Sequence, residues 1–83
     1  MSDRTVGVIA VIVKNRSAIA PEVNKILTEH GAIIIGRMGI PYQERGLSII
    51  TLIVDATTDE IGALTGKLGM LKGVTVKSTL AKI

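Results

Sequence analysis

Two long apolar runs constrain the fold of this chain most strongly. Residues 4–14 (RTVGVIAVIVK) and 46–56 (GLSIITLIVDA) carry β-branched and other apolar side chains at most positions. A strand with one face in water alternates apolar and polar residues, whereas these two runs predict strands that are apolar on both faces. We therefore expect both strands to lie at the centre of a sheet.

A first helix is predicted after the first run. Apolar residues recur at helical spacing from Ile19 to Leu27, following the polar residues "NRS". Pro21 is expected in the first turn, where its missing N–H is tolerated, and Gly31 is expected as the C-terminal cap. Residues 32–40 (AIIIGRMGI) then predict a second strand, which precedes the second apolar run.

A second helix is predicted after the third strand. Thr57 is followed three residues later by Glu60, which is the spacing of a capping box. Apolar residues repeat at helical spacing from Ile61 to Leu71, and Gly73 ends this segment. Residues 74–82 (VTVKSTLAK) alternate as a last, more polar strand.

The order βαββαβ predicts an α+β fold, the ferredoxin-like sandwich, with residues 1–83 as one domain. Right-handed crossovers place both helices on one face of a four-stranded antiparallel sheet, with the first and third strands central. Ile9, Val11, Ile50 and Leu52, or their alternates, then lie on a face that no helix covers. The simplest cover is a second subunit, so we expect a homodimer or a homotetramer.

The composition excludes several partners. The chain has 83 residues, no cysteine and a net charge of +3 with scattered basic residues. One tyrosine cannot form a stacking platform, so direct nucleic-acid binding is not expected. The apolar run from Val6 to Val13 is too short to span a bilayer, and we expect no membrane association and a cytoplasmic location. No metal and no cofactor are predicted.

No enzyme class of this fold matches the sequence. Acylphosphatase-like enzymes need an arginine in the loop after the first strand and an asparagine on a neighbouring strand. Arg16 is in such a loop, but the second and third strands contain no asparagine. His30 is interpreted as helix-end packing with a favourable position in the helix dipole, and Asp59 and Glu60 as helix-start residues. We therefore predict no catalytic residues and no enzymatic activity.

Two resemblances bear on function. The segment VIVKNRSAIAPEVNKILTEHG resembles the opening of ACT-type ligand-binding modules, except that those usually carry Asp and Pro-Gly in the loop. The motif G-R-x-G-I-P-Y, with G-L-S-I-I and T-T-D-E-I after it, resembles the iron-only hydrogenase system regulator family over almost the whole chain. That resemblance implies an ACT-like fold related to the C-terminal domain of nickel-responsive repressors. This chain lacks the His and Cys metal ligands of those repressors, and no DNA-binding segment is expected, so regulation would act through a partner protein.

Two sites are predicted for a small anionic or amino-acid-like effector. One is the hairpin after the second strand, where Arg37 and Arg45 would hold an anion and Tyr42 would pack on its apolar part. An ordinary turn with solvated arginines is the alternative. The other site is the start of the first helix, at residues 15–17, near a subunit boundary. Its three residues are Asn15, Arg16 and Ser17. Ser17 as a plain N-cap is the alternative there.

Three glycines on one face of the second helix are predicted to form an oligomer contact. Gly62, Gly66 and Gly69 lie away from the leucine stripe, and each costs the helix roughly 1 kcal/mol relative to alanine. A close approach by another chain would account for them. The sequence thus predicts an oligomeric regulatory module, with a ligand-free interaction or scaffold protein as the alternative.

Overall fold

The computed structural model describes residues 4–14 and 16–83, with the backbone alone for residues 16 and 17. Its elements are β1 (Arg4–Lys14), α1 (Arg16–Glu29), β2 (Ile34–Tyr42), β3 (Leu47–Thr57), α2 (Thr58–Gly69) and β4 (Val74–Ala81). Short 3-10 turns precede β2 (Gly31–Ile33) and follow it (Gln43–Arg45). The predicted βαββαβ order is confirmed. No helix within the described residues has the length and apolar character needed to cross a lipid bilayer.

The four strands form one antiparallel sheet in the order β2-β3-β1-β4. The two apolar runs are the central strands, as predicted, and Ile9 of β1 lies opposite Leu52 of β3. β2 and β4 are edges, each with one neighbouring strand. This is the α+β, ferredoxin-like arrangement that the sequence predicts.

The core lies between one face of the sheet and the two helices. It consists of twelve buried apolar side chains contributed by the central strands and both helices: Ile9, Val11, Val13, Val23, Ile26, Leu27, Leu52, Val54, Ala56, Ile61, Leu64 and Leu68. Aliphatic side chains alone fill this layer, because the chain has no Phe or Trp. Burial of this apolar surface is the main stabilising contribution to the fold.

No helix of the described residues covers the other side of the sheet, here called the open face. Successive side chains of a strand point to opposite faces, so the alternates of the core residues lie here. Val8 pairs with Ile53 and Ile12 with Ile49 across β1 and β3. The prediction of an apolar sheet face that no helix covers is confirmed among the described residues. The side chains on that face are the alternates, such as Val8 and Ile12, whereas Ile9 faces the helices.

The first helix and second strand differ from the predicted boundaries. α1 begins at Arg16, so Pro21 is its sixth residue and lies beyond the first turn, and Ser17 is inside the helix rather than its N-cap. Gly31 does not cap the helix, because α1 ends at Glu29 and the chain continues directly into a 3-10 turn. β2 accordingly begins two residues later than predicted and extends through Tyr42.

The start of α2 is a capping box, as predicted. Thr57 Oγ1 accepts from the backbone N–H of Glu60 at 3.1 Å, and the Glu60 Oε1 accepts from the backbone N–H of Thr57 at 2.9 Å. The hydrogen bond from the Thr57 backbone, helped by the one from its side chain, lowers the pKa of the Glu60 carboxyl. The cap fixes the point at which β3 turns into α2.

Candidate functional site

A groove of about 180 Å³ opens between α1 and the edge strand β2. Its residues come from the end of β1, the middle of α1, β2 and the start of β3: Val13, Ala20, Val23, Asn24, Arg37, Gly39, Pro41, Ser48 and Ile50. A second, more open hollow adjoins it around Ala20, Asn24 and Pro41 and extends to the turn at Gly46. The groove therefore runs along the edge of the sheet that α1 leaves uncovered.

The sequence of β2 creates this hollow. Arg37, Gly39 and Pro41 alternate on the side of the strand that faces the helices. Gly39 lies opposite Ile50, and a Cβ built on Gly39 would be 3.8 Å from the Cγ1 of that residue. A Cβ at position 39 would thus enter the space without a clash. The missing side chain leaves the apolar floor of the groove open.

Three polar side chains line the groove. The Arg37 Nη2 donates to the Asn24 Oδ1 over 3.5 Å, which joins the edge strand to α1. Ser48 is only 8% exposed and lies between Pro41 of β2 and Val13 of β1. Within the described part of the chain, no carboxylate forms an ion pair with Arg37. The groove thus combines an apolar floor with an unneutralised cation and neutral hydrogen-bonding groups.

This arrangement suits a small anion with a short apolar body. A guanidinium presents five N–H donors in a planar fork that matches a carboxylate or phosphate. The groove volume is below the roughly 300–1,000 Å³ of typical drug-sized pockets. A ligand of the size of an amino acid or a small organic acid is therefore the chemical class that fits.

The structure separates the residues of the predicted hairpin site. Arg37 lies on the groove side of β2, whereas Tyr42 is opposite Leu47 on the open face. Arg45 is exposed in the 3-10 turn and does not line the groove. Tyr42 belongs to the strand and not to the hairpin loop. Because positions 37 and 42 are five residues apart along one strand, they face opposite sides, and the three side chains do not surround one ligand.

The predicted site at the start of the first helix lies largely outside the described residues. Asn15 is not described, and of Arg16 and Ser17 only the backbone is described, as part of α1. Val13 before this stretch and Ala20 after it both line the groove. These three residues therefore stay a prediction.

The glycines of α2 are exposed, and no close contact surrounds them. For Gly62, Gly66 and Gly69, a built Cβ meets no atom within 4 Å outside the helix itself. Packing within the described chain therefore does not require glycine at these positions. The oligomer contact predicted there remains a prediction.

His30 follows α1 directly, and its Nε2 is shielded from solvent without a hydrogen-bond partner among the described residues. This placement fits the packing role predicted for it. Across the part of the chain that the structure describes, no three His, Cys, Asp or Glu side chains lie close enough to hold a metal ion.

The sequence analysis did not identify Asn24, Gly39 or Ser48. Ser48 carried a usable signal, because it is a polar residue at an inward position of an otherwise apolar strand. Asn24 lies beside the apolar face of α1 and gave no signal of its own. Gly39 could have been linked to Arg37 through the alternation of β2, once the strand was assigned to an edge.

Comparison with solved structures supports an ACT-like fold. The ACT domain from GTP pyrophosphokinase of Chlorobium tepidum is 16% identical with a TM-score of 0.75, over 94% of this chain and 89% of that one. CPII, a nitrogen regulatory PII-like protein from Thiomonas intermedia K12 bound to ADP, AMP and bicarbonate, is 15% identical with a TM-score of 0.52, over 95% and 94%. At these identities the likeness shows the fold alone.

This chain is more similar to the uncharacterized protein TM1266 from Thermotoga maritima. Its structure is 34% identical with a TM-score of 0.91, and the alignment covers 95% of this chain and 99% of that one. Among curated proteins no match was found. Residues 5–78 match the family described as "TM1266-like: Iron-only hydrogenase system regulator, putative". The match spans most of the chain, which therefore belongs to the TM1266-like family of iron-only hydrogenase system regulators.

Proposed function

We propose that this chain is a small oligomeric regulatory module that binds an anionic or amino-acid-like effector in the groove between α1 and β2. Effector binding would be passed on to a partner protein of an iron-only hydrogenase system in the cytoplasm, without direct contact to nucleic acid. The proposed module comprises residues 1–83 as one domain. Arg37 is the proposed anchor for the anionic group.

The observation that carries this proposal is the surroundings of the Arg37 side chain in the groove. Its guanidinium is held by Asn24 at 3.5 Å beside an apolar hollow, without a carboxylate partner in the described residues. Two salt bridges, Arg4–Asp55 and Lys67–Glu29, lie elsewhere in the structure. The remaining N–H donors of Arg37 are exposed and can bind an anion in the groove.

The comparisons support a regulatory role. The family is described as regulatory, one structural neighbour is an ACT domain, and another is a PII-like regulatory protein described as bound to nucleotides and bicarbonate. The PII-like protein is bound to small ligands, and we propose effector binding for this chain as well. The residues that would hold the effector are taken from this groove alone.

We further propose that the chain is not an enzyme. Two of the acidic side chains serve structure, since Glu60 caps α2 and Asp55 pairs with Arg4 at 3.2 Å. A catalytic role for Arg16, as in acylphosphatase-like enzymes, would appear as turnover of acyl phosphates that Arg16→Ala abolishes.

The second candidate function is a ligand-free interaction or scaffold protein. The exposed apolar side chains of the open face favour it, because such a surface binds protein without any effector. A ligand that stabilises the folded chain separates the two candidates. Mass action requires this stabilisation from any specific ligand, whereas a scaffold shows none.

The test is a thermal-shift screen of the full chain against proteinogenic amino acids, small organic acids, bicarbonate, phosphate and adenine nucleotides. A ligand at a hundred times its Kd contributes about 2.7 kcal/mol, which raises Tm by on the order of 10 °C for a chain of this size. Arg37→Ala should weaken binding by about 10- to 100-fold, the typical effect of losing hydrogen bonds to a charged group.

Arg45→Ala is the matched control. It removes the same side chain and charge from the same hairpin region, but outside the groove. We expect it to keep the full ligand response. Equal losses in both variants would show a non-specific charge effect, and no stabilisation by any compound would favour the scaffold function. Arg16→Ala, tested in parallel, examines the predicted site at the start of α1.

A further inference from the structure

We infer that the open face of the sheet binds the open face of a second copy of this chain. The inference specifies the surface behind the proposed oligomer and does not depend on the effector groove, which lies on the opposite side of the sheet. It rests on the exposed apolar area, the distribution of charge and the small size of the core.

The open face carries an apolar patch on three of its four strands, with Thr51 of β3 opposite Met38 within it. Its exposed members are Val6, Val8, Met38, Ile40, Tyr42 and Ile53. Met38 and Ile40 on β2 are 61% and 53% exposed, and Ile53 on β3 is 44% exposed. Half-buried Ile12 and Ile49 fill the space between these strands. β4 differs, since it presents Thr75, Lys77 and Thr79 on this side.

The patch gives a second copy several large apolar side chains to cover. Its six exposed members are between 37% and 61% exposed, from Val6 to Met38. Contiguous exposed apolar side chains are typical of protein–protein interaction sites. Mutual coverage would remove these side chains from water, together with half-buried Ile12 and Ile49 on the same face.

The charges of the open face lie around the patch. At the described positions of this face, the charged residues are Arg4, Lys14, Asp55 and Lys77. Arg4 and Asp55 pair with each other at one end, Lys14 lies at the other end, and Lys77 is on the edge strand β4. An interface core depleted of charge and surrounded by polar groups is typical of homodimers.

A second copy fits this surface better than an unrelated protein. A two-fold interface requires that one patch be complementary to itself, and an uncharged aliphatic patch meets this requirement. The chain also has a reason to associate. With 83 residues, no cysteine and twelve buried apolar side chains, it has a small core and no disulfide to support it.

The test is native mass spectrometry and light scattering of the full chain at tens of micromolar. The wild-type chain of 8.7 kDa is expected at twice that mass or a multiple of the dimer. Ile53→Lys places a charge inside the patch and should reduce the mass of the wild-type assembly by at least half. Met70→Lys is the matched control, because Met70 is 85% exposed at the end of α2, away from the open face, and this variant should remain at least dimeric.

Several outcomes would overturn the inference. A monomeric wild-type chain would do so, as would an Ile53→Lys variant that is folded by circular dichroism and keeps the wild-type mass, since the interface would then lie elsewhere. A wild-type chain that stays monomeric alone and associates only with an added, different protein would assign the patch to that other partner. If Ile53→Lys does not fold, Ile40→Lys on the edge strand provides the same test. Loss of the dimer with intact ligand binding would leave the effector proposal standing.

Discussion

The guanidinium of Arg37 on β2 donates to the side-chain oxygen of Asn24 on α1 across the mouth of the groove, with 3.5 Å between Nη2 and Oδ1. A bond of this length between exposed groups contributes little to the stability of the fold. Its effect is on position, because it links a cation on an edge strand to the helix that forms the opposite wall. The other donors of the guanidinium remain available to an anion in the groove.

The edge strand β2 contributes to both proposed surfaces. Arg37, Gly39 and Pro41 line the groove, while Met38 and Ile40 between them lie in the apolar patch of the open face. β2 has one neighbouring strand, and its pairing is irregular between residues 34 and 36. An effector that fixes β2 from one side thus acts on the strand that carries the most exposed part of the proposed dimer contact.

Filling the groove at Gly39 should abolish effector binding without harming the fold. A Cβ at this position has only an ordinary contact, 3.8 Å from Ile50, so the side chain of Gly39→Val occupies the hollow. Valine also favours strands more than glycine does. We expect an unchanged or higher Tm without ligand, and loss of the ligand-induced rise in a thermal-shift assay.

Gly36→Val is the control for this experiment. It introduces the same side chain into the same strand, but at a position opposite Ile53 on the open face, where a built Cβ meets nothing within 4 Å. Its ligand response should match that of the wild-type chain. A Gly39→Val variant that still binds ligand at wild-type affinity would remove the groove from consideration as the effector site.

The sequence predicted the fold well because the fold depends on local patterns. The period of the apolar residues, the capping box at Thr57 and the two central apolar runs determined the order of elements and the strand order. Errors were confined to ends of elements, as at Gly31, where a 3-10 turn replaces the expected glycine cap. Such details depend on how the chain enters the next strand, which a local pattern does not specify.

The candidate site was only partly predictable, because its residues come from elements that are distant in the sequence. Arg37 was identified as a charged residue near a hairpin, but its partner Asn24 depends on where α1 crosses the sheet. Tyr42 was assigned to the same site because β2 was predicted to end at Ile40. Once the strand extends through Tyr42, its alternation places that ring on the opposite face from Arg37.

The capping box at the start of α2 should make stability depend on pH. Hydrogen bonds from Thr57 lower the pKa of the Glu60 carboxyl in the folded chain below its ordinary value of 4.5. The stabilisation by the charged carboxylate is therefore fully present above about pH 4.5 and is lost as the pH falls through the lower pKa of the folded state. Glu60→Gln keeps an acceptor for the Thr57 N–H but removes the charge.

The measurement is urea unfolding at fixed protein concentration between pH 7 and pH 3. Wild type should be more stable than Glu60→Gln at neutral pH, and the difference between their midpoints should shrink in acid. Asp59→Asn is the control, since Asp59 is in the same turn but the hydrogen bonds of the cap are made by Thr57 and Glu60. A wild-type advantage that stays constant down to pH 3 would contradict the role assigned to the Glu60 charge.

The glycines of α2 provide the last prediction, which concerns assembly beyond the dimer. Gly66 is exposed, and nothing in the described chain lies within 4 Å of a Cβ built on it. Alanine at this position should raise helix stability by roughly 1 kcal/mol if only the single chain matters. We propose instead that Gly62, Gly66 and Gly69 admit the close approach of another subunit, and that Gly66→Ala converts a tetramer into dimers. Native mass spectrometry of wild type and variant decides between these outcomes. A variant with a higher Tm and an unchanged mass would show that the glycines have no contact role, because the added methyl group would then meet only solvent.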